Sequence, residues 1–309
     1  MLPSSVIVCT HNPRADYFSR SMAALEAQTL AAEMWELIVI DNASDPDRSP
    51  RPNLQWKANA RIVREDKLGL TPARLRGIRE AAGNLLVFVD DDNVLDPDFL
   101  ETALRVAAEM PFLGSWSGQC RPGFEAPPPE WTRRYWGNLV IREFARDVWS
   151  NLPRLADSMP CGAGLCVRRS VAQHYLHLHE SGRRSFQFDR AGKSLLSGGD
   201  NDLAACGAEL GLGMGLVAAL KLTHLISAER LTEDYLARLA EGIQFSSTLL
   251  DNQYGLPVAD RTIWGRVADF VRLIGAKAPH RRIVYSAYRG RDRAVRALRS
   301  GRNGQQGVR

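Results

Sequence analysis

The chain has 309 residues, 45% hydrophobic and 24% charged, with a formal net charge of +5. Such a composition can bury the core of one large domain, or of a domain with an appendage, and no window reaches the ~18 uninterrupted apolar residues of a membrane span. Five scattered cysteines without a CxxC pair exclude a disulfide framework and fit a reducing compartment. MLPSSVIVCTHN runs into a strand pattern with neither a charged leader nor a cleavage site, so the expected location is cytoplasmic. Charge is uneven: residues 261–309 hold thirteen Arg or Lys against two Asp, a net +11, which leaves −6 on residues 1–260.

In chain order, SVIVC (Ser5 to Cys9) is a β-branched run ended by Thr10-His11-Asn12-Pro13, a strand and then a turn. Phe18, Met22 and Leu25 recur at helical spacing. WELIVI (Trp35 to Ile40) is a second apolar strand ending at Asp41-Asn42, and Ile62-Val63 hints at a third. Thr71-Pro72 is expected to cap and open a helix through Ala82. Leu85 to Val89 reads as the next strand, and Pro97 to Met110 as a helix capped by Asp96. Strands apolar on both faces that alternate with helices predict a parallel α/β sheet. Ligands of such sheets bind beyond the carboxyl ends of the strands. Three of those ends carry polar clusters: Thr10-His11-Asn12, Asp41-Asn42 and Asp90-Asp91-Asp92.

Pro111 to Pro160, rich in Trp, Pro and Arg, reads as a long irregular excursion of the kind that forms binding loops. Cys161 to Arg168 looks like a turn feeding a strand, and Ser197 to Leu203 a loop entering a helix. Beyond His224 the pattern is helical.

The Asp90-Asp91-Asp92 run poses the main chemical question. Two carboxylates ~4 Å apart repel by about 4 kcal/mol at the effective dielectric of a protein surface, so an offsetting charge is needed. Mg²⁺ or Mn²⁺, usually held by one or two carboxylates together with substrate phosphates, would supply it. Residues at i and i+2 of an extended segment share a side, so Asp90 and Asp92 could share a cation while Asp91 faces elsewhere. A solvated turn is the competing reading. An EF-hand is excluded because Leu95, not glycine, holds the sixth position, and an ATPase because GxxxxGK[ST] is absent.

Taken in order, VIVCTHN, VIDNASD, GLTPARLRGIREAAGNLLVFVDDDN, GAGLCVRR, SGGDNDL and LTHLISAERLT resemble the nucleotide-sugar glycosyltransferases of family 2, over residues 4 to 235. The resemblance implies the GT-A fold, a Rossmann-like α/β architecture whose mostly parallel central sheet is flanked by helices, here with a C-terminal helical appendage. Residues 1–227 would be the catalytic domain, with 1–110 binding the nucleotide and 111–227 the acceptor. Residues 228–309 would be the helical region with its basic tail.

On this resemblance Asp92 is the direct metal ligand, Asp90 lies nearer the ribose, Asp91 completes the donor-binding run, and His224 completes the shell of a Mn²⁺ or Mg²⁺ ion. Thr10 and Asp41 hold the nucleoside, with Asp41 accepting the N3 proton of a uracil-type base, and Arg74 lies near the nucleotide. Asp200 is the general base that takes the proton of the acceptor hydroxyl, and Asp202 occupies an acceptor-side position. Gly162 and Gly164 let backbone approach the donor sugar or acceptor, or simply form a turn. Leu75 stands where the family usually has Asn after the arginine, Glu65 and Asp66 where many members carry Asn, and Gly199 where Glu is usual. The implied activity is an inverting, metal-dependent transfer from a UDP-sugar to a glycan or lipid-linked acceptor. The rival readings are a catalytically silent nucleotide-sugar-binding protein and a nucleotidyltransferase.

Trp116, with Trp131, Trp136 and Trp149, is either a sugar-stacking platform or a small core. His174, His177 and His179 lack the spacing of a zinc motif and read as a helix surface. In the tail, Ile263, Trp264, Val267, Phe270, Val271 and Ile274 recur at helical spacing between Arg261 and Ala276, with Arg266, Asp269 and Arg272 elsewhere on the wheel. A second helical pattern from Arg282 to Leu298 is arginine-rich. This tail either packs on the catalytic domain or contacts an anionic membrane surface. Nucleic acid is not an expected partner, since no recognisable module is present.

Overall fold

The computed structural model of the chain describes residues 2–306 apart from 48, 50, 155, 185–194, 259–261 and 276. Arg261 and Ala276, at the ends of the expected amphipathic helix, lie outside the described residues, as do the side chains of Ile263, Arg266, Phe270 and Arg272.

Strands β1 (Ser4–Thr10), β2 (Trp35–Asn42), β3 (Ala60–Glu65) and β4 (Leu85–Asp90) pair in parallel in the order β3-β2-β1-β4. Helices α1 (Ala15–Glu26) and α2 (Leu70–Glu80) make two of the crossovers. Every residue of β1 is buried, which explains its unbroken apolar run. The chain leaves β1 toward β2 and β3 and then returns to place β4 on β1's other side. The crevice between β1 and β4 is therefore a topological switch point, where open α/β sheets bind their ligands. Register aligns Thr10 with Asp41 and Cys9 with Asp90, so the expected polar clusters share one rim.

The sheet continues through β8 (Leu165–Arg168), β6 (Leu113–Phe124), β9 (Gly213–Ile226) and β5 (Asn93–Leu95), with β7 (Val148–Ser150) also on β9. β8 is antiparallel to both β4 and β6, whereas β6 and β9 are parallel. Helices α3 (Phe99–Glu109), α4 (Arg169–Glu180) and α5 (Gly199–Ala205) complete the layers. The sequence pattern missed β6 and β9. β6 reads LGSWSGQCRPGF, in which glycine, serine and proline interrupt the apolar run, and its register against β9 shifts twice. Gly118 is required there because a Cβ would stand 2.1 Å from the Leu220 carbonyl oxygen.

Two expected caps are corrected. α2 begins at Leu70, so Thr71 lies inside it, and the preceding Gly69 adopts φ 135° without a side-chain cap. Asn42 sets that geometry: its Oδ1 accepts the Gly69 N–H at 2.8 Å, and its amide donates to the carbonyls of Glu65 and Lys67. α3 begins at Phe99, and the carboxylate of Asp96 instead pairs with Arg121.

Helix α6 (Glu233–Gln253) carries α8 (His280–Gln306), with α7 (Ile263–Gly275) between them in sequence. Leu236 and Leu239 of α6 cluster with Ile283 of α8, and Arg289 and Arg293 of α8 converge on Glu241, whose carboxylate they hold below the ordinary range against the cost of its burial. Part of the tail's basic face therefore packs on α6. The backbones meet at Gly290, where a Cβ would lie 2.2 Å from the Glu241 carbonyl oxygen. Gly290→Ala should therefore lower the thermal midpoint despite alanine's better helix propensity. An overpacking cost of about 1–3 kcal/mol exceeds a propensity gain of about 1 kcal/mol. Differential scanning calorimetry checks the sign.

Candidate active site

A cavity of about 300 Å³ opens at the carboxyl ends of β1, β2 and β4. Thr10, Asn42, Arg74, Asp90, Asp91, Asp92, Gly162, Asp200, His224 and Arg230 are among its lining residues. Residues more than two hundred positions apart in sequence thus share one wall.

The strand ends at Asp90, so the alternation that would have turned Asp91 away also stops there. All three aspartates face the cavity, which corrects the i, i+2 expectation. Thr10 donates its hydroxyl to Asp91 Oδ2, and Ser21 Oγ donates to the Asp91 carbonyl at 3.0 Å, which fixes the turn. Asn93, fully buried, donates its amide to Asp92 Oδ1 at 3.0 Å and accepts the Asp90 N–H at 3.3 Å. β5 pairs antiparallel with β9 in a register that sets Asn93 opposite His224, so Asp92 is delivered beside the imidazole.

His224 Nδ1 lies 2.9 Å from the Leu139 carbonyl, a group that can only accept, so Nδ1 carries the proton. Nε2 sits 3.3 Å from Asp92 Oδ2. The Arg230 guanidinium lies against both, 2.9 Å from Asp92 Oδ2 and 3.1 Å from Nε2. Arginine has no acceptor, so Nε2 is the accepting lone pair. A carboxylate oxygen and an imidazole nitrogen therefore point at a common cationic position.

That donor set fits Mn²⁺ or Mg²⁺ held jointly with phosphate oxygens. It does not fit an all-protein cage: among the described residues no group of three or more His, Cys, Asp or Glu side chains is arranged to hold a metal.

On the opposite wall, Asp200 opens α5. Its Oδ2 accepts the Gly162 N–H at 2.6 Å and its Oδ1 the Asn201 N–H at 2.9 Å, so the carboxylate is held in one orientation. Arg74, nearly fully buried in the first turns of α2, approaches the same glycine. A Cβ on Gly162 would stand 2.8 Å from an Arg74 guanidinium nitrogen and 3.1 Å from Asp200 Oδ2.

Four sequence-derived candidates lie elsewhere. Trp116 is fully buried in the core between the sheet and α3, so it offers no face to a sugar. Asp202, also fully buried, faces away from the cavity to Arg184, Tyr254 and Gln253. Burial raises its pKa above the ordinary carboxylate range despite those partners, and the residue ties α5 to α6. Gly164 adopts φ +65° and abuts Phe99 and Leu222, so it forms a turn against the core. Asp41 precedes the cavity-lining Asn42 without lining the cavity itself, and its carboxylate accepts from the Ser44 N–H at 3.1 Å and from Arg64 at 2.8 Å. Although burial opposes it, these partners depress the Asp41 pKa. His174 pairs with Glu209 on the surface of α4.

The model of Glycosyl transferase family 2 matches residues 5–175. The chain belongs to that family. Over 127 residues it is 25% identical to the glucosyl-dolichyl phosphate glucuronosyltransferase of Haloferax volcanii, covering 41% of each chain. Over 107 residues it is 31% identical to the validoxylamine A glucosyltransferase of Streptomyces hygroscopicus subsp. jinggangensis, covering 34% of this chain and 25% of that one. The chain spans less than half the length of the curated relatives it matches. In fold it is similar to GalNAc-T7, solved with UDP, GalNAc and Mn²⁺, at a TM-score of 0.52 and 14% identity over 88% of this chain and 55% of that one. The fold is GT-A.

Sequence reasoning assigned no role to Arg230 in this family 2 site. It lies in a short 3-10 helix, Ala228–Leu231, six residues after His224, and nothing in its local pattern distinguishes it from a surface arginine. Asn42 and His11, bonded to each other through His11 Nδ1 and the Asn42 carbonyl at 2.7 Å, complete the β1/β2 rim. Gly162→Ala should drive Arg74 and Asp200 apart and lower transfer at least about tenfold, as misplacement of catalytic groups by ~1 Å can cost about a hundredfold. Steady-state kinetics alongside an unchanged circular dichroism spectrum would check this.

Proposed function

We propose that the chain is an inverting, metal-dependent glycosyltransferase that moves a sugar from a UDP-sugar onto a hydroxyl of a glycan or lipid-linked acceptor in glycoconjugate synthesis. The observation that carries this reading is the joining, in one cavity, of the Asp90–Asp91–Asp92 rim, the Asp92/His224 donor pair and the oriented Asp200 carboxylate. Asp92 and His224 would hold the Mn²⁺ or Mg²⁺ ion, with Asp90 and Asp91 on the ribose side. When bound there, the ion supplies charge neutralisation for the departing nucleoside diphosphate. Thr10 fixes Asp91. Arg74 adds a fixed positive charge beside the nucleotide.

Asp200 would act as general base. Its two backbone hydrogen bonds aim the carboxylate at an acceptor hydroxyl entering over Gly162, and Gly162 leaves room for that approach. Direct displacement inverts the anomeric carbon, with one base and no covalent sugar intermediate. Asp200→Asn should leave donor binding within about twofold and cut transfer by ~10²–10⁴, the usual contribution of a positioned base. Transfer at the parent rate would remove Asp200 from this role.

A lipid-linked acceptor has support in α7. Trp264, Val267, Val271 and Ile274 lie along one stripe of that helix and are exposed, Trp264 by 80%. Among the described residues no helix is long and apolar enough to cross a membrane, and we assign the stripe to contact with an anionic lipid surface, through which the tail would hold the enzyme at the membrane. Cosedimentation with phosphatidylglycerol vesicles should occur for the parent chain and fail for Trp264→Asp/Val271→Asp. Unchanged binding by the variant, or none by the parent, would contradict it.

A further inference from the structure

We infer that Arg230 is a built-in counter-cation that shares the Asp92 and His224 ligand atoms and moves to the donor's diphosphate when a divalent ion arrives. This rests on the proposed role of Asp92 and His224 in holding that ion. The guanidinium lies against the two atoms that would ligate it, 2.9 Å from Asp92 Oδ2 and 3.1 Å from His224 Nε2. A cation and a divalent metal cannot share these lone pairs, so loading must displace Arg230 from them. Burial makes that position costly to leave empty, because the Arg230 side chain is only 14% exposed and Asp92 19%, and an uncompensated charge in such a place is strongly unfavourable. A resident guanidinium removes the penalty while no nucleotide is bound.

The same geometry indicates where Arg230 goes. It lines the cavity with the three aspartates, and its Nε is buried and, among the described residues, has no hydrogen-bond partner. A planar fork with an unfilled donor is suited to bidentate capture of a phosphate. Tyr235, whose ring lies 5.8 Å from the guanidinium carbon, is positioned to guide the swing as a neighbouring apolar wall. Metal and diphosphate would then arrive together, since the ion alone must displace Arg230 with nothing to receive it. The pair forms a charge relay that couples metal affinity to donor occupancy.

The test is Mn²⁺ binding followed by electron paramagnetic resonance, with and without UDP, for the parent chain, Arg230→Met and Arg230→Lys. Loss of a charge-assisted hydrogen bond is worth about tenfold in affinity. Arg230→Met should bind Mn²⁺ alone about tenfold more tightly than the parent and bind UDP in the presence of Mn²⁺ about tenfold more weakly. Arg230→Lys should fall between them on both. A merely structural arginine would weaken both measurements, or neither, and either result overturns the inference. If the parent binds Mn²⁺ with UDP while the variant shows no such opposite changes, the inference fails and the Asp92/His224 site stands. If the parent binds no Mn²⁺ even with UDP, both fall.

Discussion

Negative charge crowded onto the end of a buried strand has to be neutralised, and much of the site follows from how that is done. Asp90, Asp91 and Asp92 stand at the mouth of β4, where the sheet's switch point opens the β1/β4 crevice. Hydrogen bonds from Thr10, Ser21 and Asn93 hold the turn in shape but do not remove its charge. The guanidinium of Arg230 does so at Asp92, 2.9 Å from its Oδ2. The cation is delivered from the far edge of the sheet, because β9 brings His224 opposite Asn93 and the chain then turns Arg230 back over the carboxylate.

The two halves of the sheet divide the work. The parallel half, β3-β2-β1-β4, aligns its carboxyl ends and so sets a polar rim by register alone. The mixed half supplies His224, Gly162 and Asp200 from segments that are remote in sequence. β8, antiparallel between β4 and β6, is the seam, and the turn that enters it carries Gly162, whose N–H orients Asp200. α6 and α8 stand behind this arrangement. Asp202 is part of that support through Arg184, Tyr254 and Gln253, and it lies only two residues from Asp200.

What could be read from sequence tracks how local the cause is. β1, β2 and β4 are apolar on both faces because both faces are buried, and their polar ends are visible beside them. β6 was illegible because its irregularity is dictated by β9: Gly118 yields to the Leu220 backbone, and Pro122 falls where β8 no longer pairs. Thr71 and Asp96 looked like caps because cap chemistry is local, but Asn42 and Arg121, distant in sequence, decided both helix starts. Trp116 shows the same limit: a tryptophan in a Pro-rich stretch gives no sign of whether it faces sugar or core. The ordered family motifs did identify Asp92, His224 and Asp200 as companions, and the fold brings those three to one cavity. Arg230 could be recognised only once β9 and the following turn were placed in space.

If the Asp92/His224 pair joins protein to nucleoside diphosphate through a divalent ion, as proposed, UDP binding must depend on the metal. Calorimetric titration of UDP into the protein, with Mn²⁺ and again after chelation, tests it most directly. Binding with Mn²⁺ should weaken by at least about tenfold, ~1.4 kcal/mol, once the metal is removed. UDP affinity that is unchanged by the chelator, or no UDP binding under either condition, would contradict it.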